Sequence, residues 1–188
     1  MAARKRRHRK TLALNREQLQ SALARIRLLV LDVDGVMTDA GIFLGAEEEF
    51  KRFDSRDGAA IKYLVRHGIV VAVITGRESV AVARRCAELG VTEVHQRALR
   101  KLPVFLALLE RHGVAPEETA VMGDDLAELP LMRRAGVGIA VADACPDVRR
   151  NADWVTRATG GHGAVREVAE AILKAKGLWA KLLEKYLA

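Results

Sequence analysis

Residues 69–74 read IVVAVI, and a run with no polar position cannot be a strand with one face in water. It needs cover on both faces. The same holds for LLVL at 28–31 and, in shorter form, for the apolar stretches at 119–122 and 138–142. Segments of helical length lie between these runs, with apolar residues on one face, as Leu102, Phe105, Leu106 and Leu109 are in 101–112. Continuous apolar strands alternating with helices specify an α/β fold, a doubly wound parallel sheet. The pattern predicts strands over 27–33, 69–74, 92–95, 119–122, 138–142 and 153–156. It predicts helices over 14–25, 58–67, 78–89, 101–112, 126–135 and 164–174, with a helical tail beyond. Gly68, Gly90 and Gly136 stand at three of the predicted helix ends. Residues 41–44 and 49–53 form a short hairpin around 45–48.

The chain's 188 residues are enough for one domain with a sizeable core, expected over 14–188 behind a basic tail at 1–13. Six of the seven net positive charges lie in the first ten residues, MAARKRRHRK. The body is therefore nearly neutral, and with 4% aromatic residues it does not read as a nucleic-acid binder. The tail reads as a disordered solubilising arm, with non-specific polyanion binding as the alternative. No run reaches the length of a membrane span, and the N-terminus lacks the apolar centre of a secretory signal. Cys86 and Cys145 have neither a disulfide framework nor metal-ligand spacing, and the expected compartment is the cytoplasm.

In a doubly wound sheet, ligands bind outside the carboxyl ends of the strands, so the residues that close the strands should share a crevice. The first strand closes in Asp32-Val33-Asp34, the second in Thr75-Gly76-Arg77 and the fourth in Gly123-Asp124-Asp125. Lys101 opens a helix, the wrong end for a cation on dipole grounds but a natural one for meeting a phosphate. Taken singly, each residue is a turn former, a β residue or a solvated charge. Taken together they suit phosphoryl transfer through an aspartate. Asp32 could attack phosphorus, and Asp34 could protonate the leaving oxygen and then activate water. Lys101 could balance charge, and Thr75 could hydrogen-bond a phosphoryl oxygen. Asp124 could join a hard oxygen set for Mg²⁺. Gly35 would let the chain turn sharply at the site.

The motifs DVDGVMTD, VITGR, the lysine of RKL, and GDDLAE occur in order, and on them the chain resembles the haloacid dehalogenase superfamily of phosphatases. The likeness runs over nearly all of 25–176, through FDSRDGAAIK, VITGRESVAVARRCAELG, GIAVADACPDVRRNADWVT and GGHGAVREVAEAIL. The resemblance implies a Rossmann-like core without a large cap domain, with a small β-hairpin insertion in its place. It also implies Mg²⁺ as cofactor and a sugar-acid phosphate as substrate. The implied substrate is 3-deoxy-D-manno-octulosonate 8-phosphate, on the way to lipopolysaccharide, with a nine-carbon keto-sugar-acid 9-phosphate as the alternative. Asp32, Asp34 and Asp124 would be the metal ligands, Asp34 through its carbonyl. Substrate contacts would come from Asp34, Asp54, Ser55, Arg56, Asp57, Gly58, Lys62, Arg77, Arg85 and Lys101. Arg77 would favour the octulosonate over the nine-carbon acids, whose enzymes tend to carry Glu there. The family's hairpins assemble a homotetramer whose neighbours cover the site, and the same is expected here.

Three features depart from the family pattern or stand outside it. The basic tail is one. Glu128 ends the fourth motif where Asp is common, and Arg97 or Arg100 could share the task of Lys101. His67 and His112 are expected to cap helix ends, and His95 lies near the crevice. His162 and Arg166 in GGHGAVRE are candidates for closing over an anion, and Asp39 reads as a turn residue. Two other classes compete, a phospho-acceptor signalling domain and a non-catalytic oligomerisation domain. Asp34 argues against the first and the intact set of motif residues against the second.

Overall fold

The structure, a computed structural model, describes residues 14–46 and 49–187. The basic tail at 1–13 lies outside the described residues, as do the two glutamates at the hairpin tip. The first helix, α1 (Arg16–Arg25), starts with a capping box between Asn15 and Gln18. A six-stranded parallel sheet follows, made of β1 (Leu28–Leu31), β4 (Val70–Ile74), β5 (Glu93–His95), β6 (Thr119–Gly123), β7 (Val137–Ala140) and β8 (Trp154–Val155). Its order is β5-β4-β1-β6-β7-β8, so β1 is central. Leu28–Leu31 pair with Val70–Val73 on one side and Thr119–Met122 on the other. Every residue of β1, β6 and β7 is buried, as strands covered on both faces require.

The covering helices are α2 (Ser55–Arg66), α3 (Val80–Leu89), α4 (Lys101–His112), the one-turn α5 (Leu129–Met132), α6 (Pro146–Asn151), α7 (Ala164–Ala175) and α8 (Trp179–Leu187). The hairpin of β2 (Phe43–Leu44) and β3 (Glu49–Phe50) forms a separate antiparallel pair. No helix among the described residues is long and apolar enough to cross a membrane.

Four of the differences from the sequence expectation have a clear local reason. β1 stops at Leu31, because the chain turns at once through Val33–Met37, with Gly35 at φ +88°. α2 begins at Ser55 rather than 58, since Asp54 caps it by accepting the N–H groups of Arg56 and Asp57. Gly58 therefore lies inside the helix, where a Cβ would collide with the Arg85 guanidinium. The helix expected over 126–135 is broken into a 3₁₀ turn, Leu126–Glu128, and the short α5, which restarts at Leu129 with Pro130 in its first turn. The six-residue α6 is too short to give a periodic signal.

Candidate active site

The carboxyl end of β1 lies between β4 and β6, where a doubly wound sheet opens its crevice. Asp32 is the first residue past β1, and its N–H still donates to the Met122 carbonyl at 3.3 Å. The sheet thus fixes the backbone that carries the carboxylate. Asp124 follows β6 directly, and Lys101 opens α4. Lys101 Nζ stands 2.7 Å from Asp32 Oδ1 and 2.5 Å from Glu128 Oε1. Carboxylate oxygens of Asp32, Asp124 and Glu128 all lie within 4.8 Å of one another.

Three carboxylates around one ammonium leave an excess of negative charge in a mostly buried site. Burial raises the Asp32 carboxyl to about 6, with Glu128 adding to the rise and Lys101 opposing it. Burial likewise raises Asp124 to about 7, followed by repulsion from Asp32, Glu128 and Asp125. Burial alone would lower the Lys101 ammonium, but Asp32 and Glu128 outweigh it and hold its pKa above the usual lysine range.

Asp124 Oδ1 is buried and accepts no hydrogen bond among the described residues, while Asp32 Oδ1 has the Lys101 ion pair but no aligned donor. Buried polar atoms are normally satisfied, so these two oxygens need a partner. Hard carboxylate oxygens crowded in this way fit Mg²⁺. Gly35 makes the crowding possible, because a Cβ at that position would collide with the Asp124 carboxylate.

Thr75 is buried at the end of β4. Its N–H donates to the His95 carbonyl and its own carbonyl accepts from Ala98 N–H, both at 2.9 Å. Its hydroxyl accepts from the Arg77 N–H at 3.4 Å. Asp34 lies on the hairpin side of the Gly35 turn. Its Oδ1 is 2.5 Å from Lys51 Nζ, and its Oδ2 is 3.6 Å from Arg77 Nε. Arg77 also pairs with Glu49.

The remaining substrate candidates form a second neighbourhood around α2. Asp54 caps the helix and is gripped by the Arg56 guanidinium, which holds its carboxyl at about 2. Ser55 and Gly58 lie in the first turn and a half of α2. Asp57 accepts from Arg166 N–H at 2.7 Å and Gly163 N–H at 3.2 Å, so it caps the start of α7. Lys62 and Arg85 both face Glu88, at 3.9 and 2.8 Å, and Arg85 lies over the Phe53 ring. Among the described residues, no hydrogen bond or ion pair joins this group to Asp32.

Arg97 pairs with Glu78 and Arg100 is exposed, so Lys101 alone of the three reaches Asp32. Asp39 is a turn residue, accepting from Gly41 N–H. His67 bonds the Tyr63 carbonyl at the end of α2, whereas His112 pairs with Glu93, as His95 does, instead of capping α4. His162 turns back on the Gly160 carbonyl, and Arg166 pairs with Glu170 beneath the rings of Tyr63 and Trp179.

Sequence reasoning left out Glu49 and Lys51, and it read Glu128 only as a variant motif residue. Glu128 lies four residues after Asp124 in GDDLAE, a spacing that could have placed it. Glu49 and Lys51 carry no motif; alternation along β3 is their only signal.

The family model for haloacid dehalogenase-like hydrolases matches residues 90–168. The 3-deoxy-D-manno-octulosonate 8-phosphate phosphatase of Escherichia coli K12 is 49% identical over 153 residues, 81% of each chain. A crystal structure of the Yersinia pestis phosphatase of that name aligns with a TM-score of 0.85 and 43% identity, covering 86% of this chain and 88% of that one. The Moraxella catarrhalis phosphatase, solved with a magnesium ion, a phosphate ion and KDO, aligns at a TM-score of 0.89 and 37% identity, covering 92% and 99%.

Proposed function

Since this chain belongs to the haloacid dehalogenase-like hydrolases, we propose that it is a Mg²⁺-dependent phosphomonoesterase of lipopolysaccharide precursor synthesis. Its substrate is 3-deoxy-D-manno-octulosonate 8-phosphate, and it releases the free sugar acid and phosphate. The observation that carries this reading is the largely buried set of Asp32, Asp124, Glu128 and Lys101 at the end of β1, with a buried Asp124 oxygen that has no donor among the described residues.

Asp32, on its rigid mount, attacks phosphorus and carries the phosphoryl group as an aspartyl ester, which splits one hard displacement into two. Lys101 stays protonated between Asp32 and Glu128 and offers fixed positive charge to the incoming phosphate. The Thr75 hydroxyl, held by the β4–β5 edge, hydrogen-bonds a phosphoryl oxygen. Asp34 gives a proton to the departing sugar oxygen and then takes one from the water that cleaves the ester. The Asp32 and Asp124 carboxylates and the Asp34 carbonyl would hold Mg²⁺, which would supply the positive charge that an anionic nucleophile needs to approach a phosphate. Arg77, beside Asp34, contributes a substrate contact, and its presence in place of Glu is what favours the octulosonate over a nine-carbon acid. Residues 54–58, Lys62 and Arg85 contribute further substrate contacts.

Apart from the two-stranded hairpin, the described strands form one sheet over one core, which supports a single domain over 14–188. Ile42, Phe43, Leu44 and Phe50 of the hairpin expose between 44% and 78% of their surface. An apolar strip on a two-stranded ribbon supports assembly through the hairpins, as a cytoplasmic homotetramer. Sedimentation would read a monomer if that part is wrong.

The deciding experiment is phosphate release from a panel of sugar-acid phosphates, with and without Mg²⁺, alongside Asp32→Asn. Undiminished activity in the variant would overturn the mechanism. Preference for a nine-carbon acid phosphate would overturn the substrate alone.

A further inference from the structure

Lys51 belongs to the flank of a surface hairpin, yet only 1% of its side chain is exposed. Lysines are almost never buried unless something pairs them, and desolvating an ammonium is costly. Its neighbours on the same ribbon behave oppositely, since Phe43, Leu44 and Phe50 all face outward. Among the described residues the ammonium pairs with no residue of β2, so it does not tie the ribbon together. It points to Asp34 Oδ1 at 2.5 Å and to Glu49 Oε1 at 3.2 Å.

Glu49 and Lys51 are two residues apart, which puts them on one face of an extended chain. That face delivers one carboxylate and one ammonium to the residues that close the first two strands of the crevice. Glu49 takes Arg77, Lys51 takes Asp34, and Arg77 Nε completes the circuit 3.6 Å from Asp34 Oδ2. Burial pushes the Glu49 carboxyl up, but Arg77 and Lys51 outweigh it, and it stays below its ordinary value. Two carboxyl groups and two basic side chains therefore alternate around the circuit. Asp34 lies three residues past strand β1 in extended backbone, at φ −74° and ψ 117°, which admits more than one staggered χ1. The cations at its two oxygens make that choice.

The geometry points to Lys51 as a positioning residue for the phosphatase reaction: its ammonium, brought in by the hairpin, fixes the Asp34 carboxylate for proton exchange with the leaving oxygen. This rests on the reading of Asp34 as acid and base. Lys51 itself transfers no proton and touches no substrate. The hairpin then has a task within its own chain, independent of any assembly it mediates.

A purely structural lysine and a positioning lysine differ in which substrate suffers from its loss. A sugar alkoxide must be protonated as it leaves, whereas 4-nitrophenolate leaves unaided. The test is a single-turnover comparison of these two phosphate esters, with Mg²⁺ and enzyme both saturating. In Lys51→Met, sugar release should slow by about 10- to 100-fold, the scale of misplacing a reacting group by an ångström or so. Nitrophenolate release should stay within about threefold of the parent protein. Asp34→Asn should show the same discrimination more strongly, by about 100-fold or more. Alkylating Lys51→Cys with 2-bromoethylamine rebuilds an ammonium of nearly the same reach and should restore sugar release. It also covers the case in which Lys51→Met does not fold. The parent protein treated in the same way controls for Cys145, since the Cys86 thiol is buried and pushed up to about 11.

Equal slowing of both esters in the Lys51 variants, or no slowing of either, would overturn the assignment. If Asp34→Asn discriminates and the Lys51 variants do not, only the role of Lys51 falls. If Asp34→Asn itself fails to discriminate, the acid/base reading falls and takes the role of Lys51 with it.

Discussion

Asp57, buried in the seam between α2 and α7, and Asp124, half-buried in the crevice, are both carboxylates with raised pKa. In both, burial is the first cause of the rise. They part company in what surrounds their oxygens. Asp57 accepts two backbone N–H groups at the start of α7, one on each oxygen, and is satisfied without any ligand. Asp124 has an oxygen with no donor among the described residues, and the charges that act on it are the carboxylates of Asp32, Glu128 and Asp125. Burial and a raised pKa therefore do not separate a structural aspartate from a functional one. The unanswered oxygen does, because a buried polar atom without a partner costs free energy that a stable fold rarely leaves uncompensated.

The comparison is tested most severely by Asp32→Asn. Phosphate release should fall by about 10³-fold or more, the scale of losing a nucleophile. Removing one of three crowded carboxylates should at the same time leave the metal-free melting temperature unchanged or higher. A large loss of stability would mean that the crevice is a structural ion-pair cluster like any other.

Next in size is the coupling between Mg²⁺ and protons. With folded-state values of about 6 and about 7, Asp32 and Asp124 hold protons at pH 5 and release them by pH 8. Mg²⁺ needs the ionised forms, so its affinity should rise steeply with pH and level off above about 8. The sign for stability without metal is the reverse. Both folded values lie above the ordinary 3.8, so the stability these groups contribute is full below about 4. It is lost as pH rises through 6 to 7, and Mg²⁺ should restore it. Calorimetry in buffers of different ionisation enthalpy reads the released protons directly. A pH-independent affinity would remove the premise of a proton-holding crevice.

Asp57→Ala probes the other side. It should cost about 1–3 kcal/mol in urea unfolding, the penalty for stranding buried donors. Mg²⁺ affinity should not change. A shift in metal affinity with no loss of stability would reverse the assignments of the two aspartates.

Much of this arrangement was legible in the sequence, and the remainder was hidden for identifiable reasons. Unbroken apolar runs such as IVVAVI allow only a covered parallel sheet, and that topology alone brings Asp32, Thr75 and Asp124 to one edge. Lys101 followed because a cation at a helix start invites an anion. Glu128 was visible but undervalued; its longer arm is what lets it reach Lys101 Nζ at 2.5 Å. Lys51 could not be placed, since the direction of a hairpin relative to the sheet is set by tertiary contacts and leaves no periodicity behind. The capping role of Asp57 was hidden in the same way, because its two partners lie 106 and 109 residues away.

The smallest expected effect is that of Arg56→Ala, and it tests whether α2 is held by its backbone cap or by its surface charge. Asp54 receives the N–H groups of Arg56 and Asp57 as well as the exposed Arg56 guanidinium. The guanidinium is the largest cause of its low value of about 2, with the backbone donors adding to it. Asp54 lies below its ordinary 3.8, so its contribution to stability is present above about 4 and lost as pH falls towards 2. Removing the side chain leaves both N–H donors in place. The cap should survive, with almost no change in melting temperature at neutral pH in salt, because exposed ion pairs contribute little. The Asp54 titration, followed by NMR, should move up from about 2 but stop short of 3.8. An unmoved titration would assign the low value to the backbone cap alone. A rise in KM without change in stability would instead place the guanidinium at the substrate, the part the family resemblance gives it.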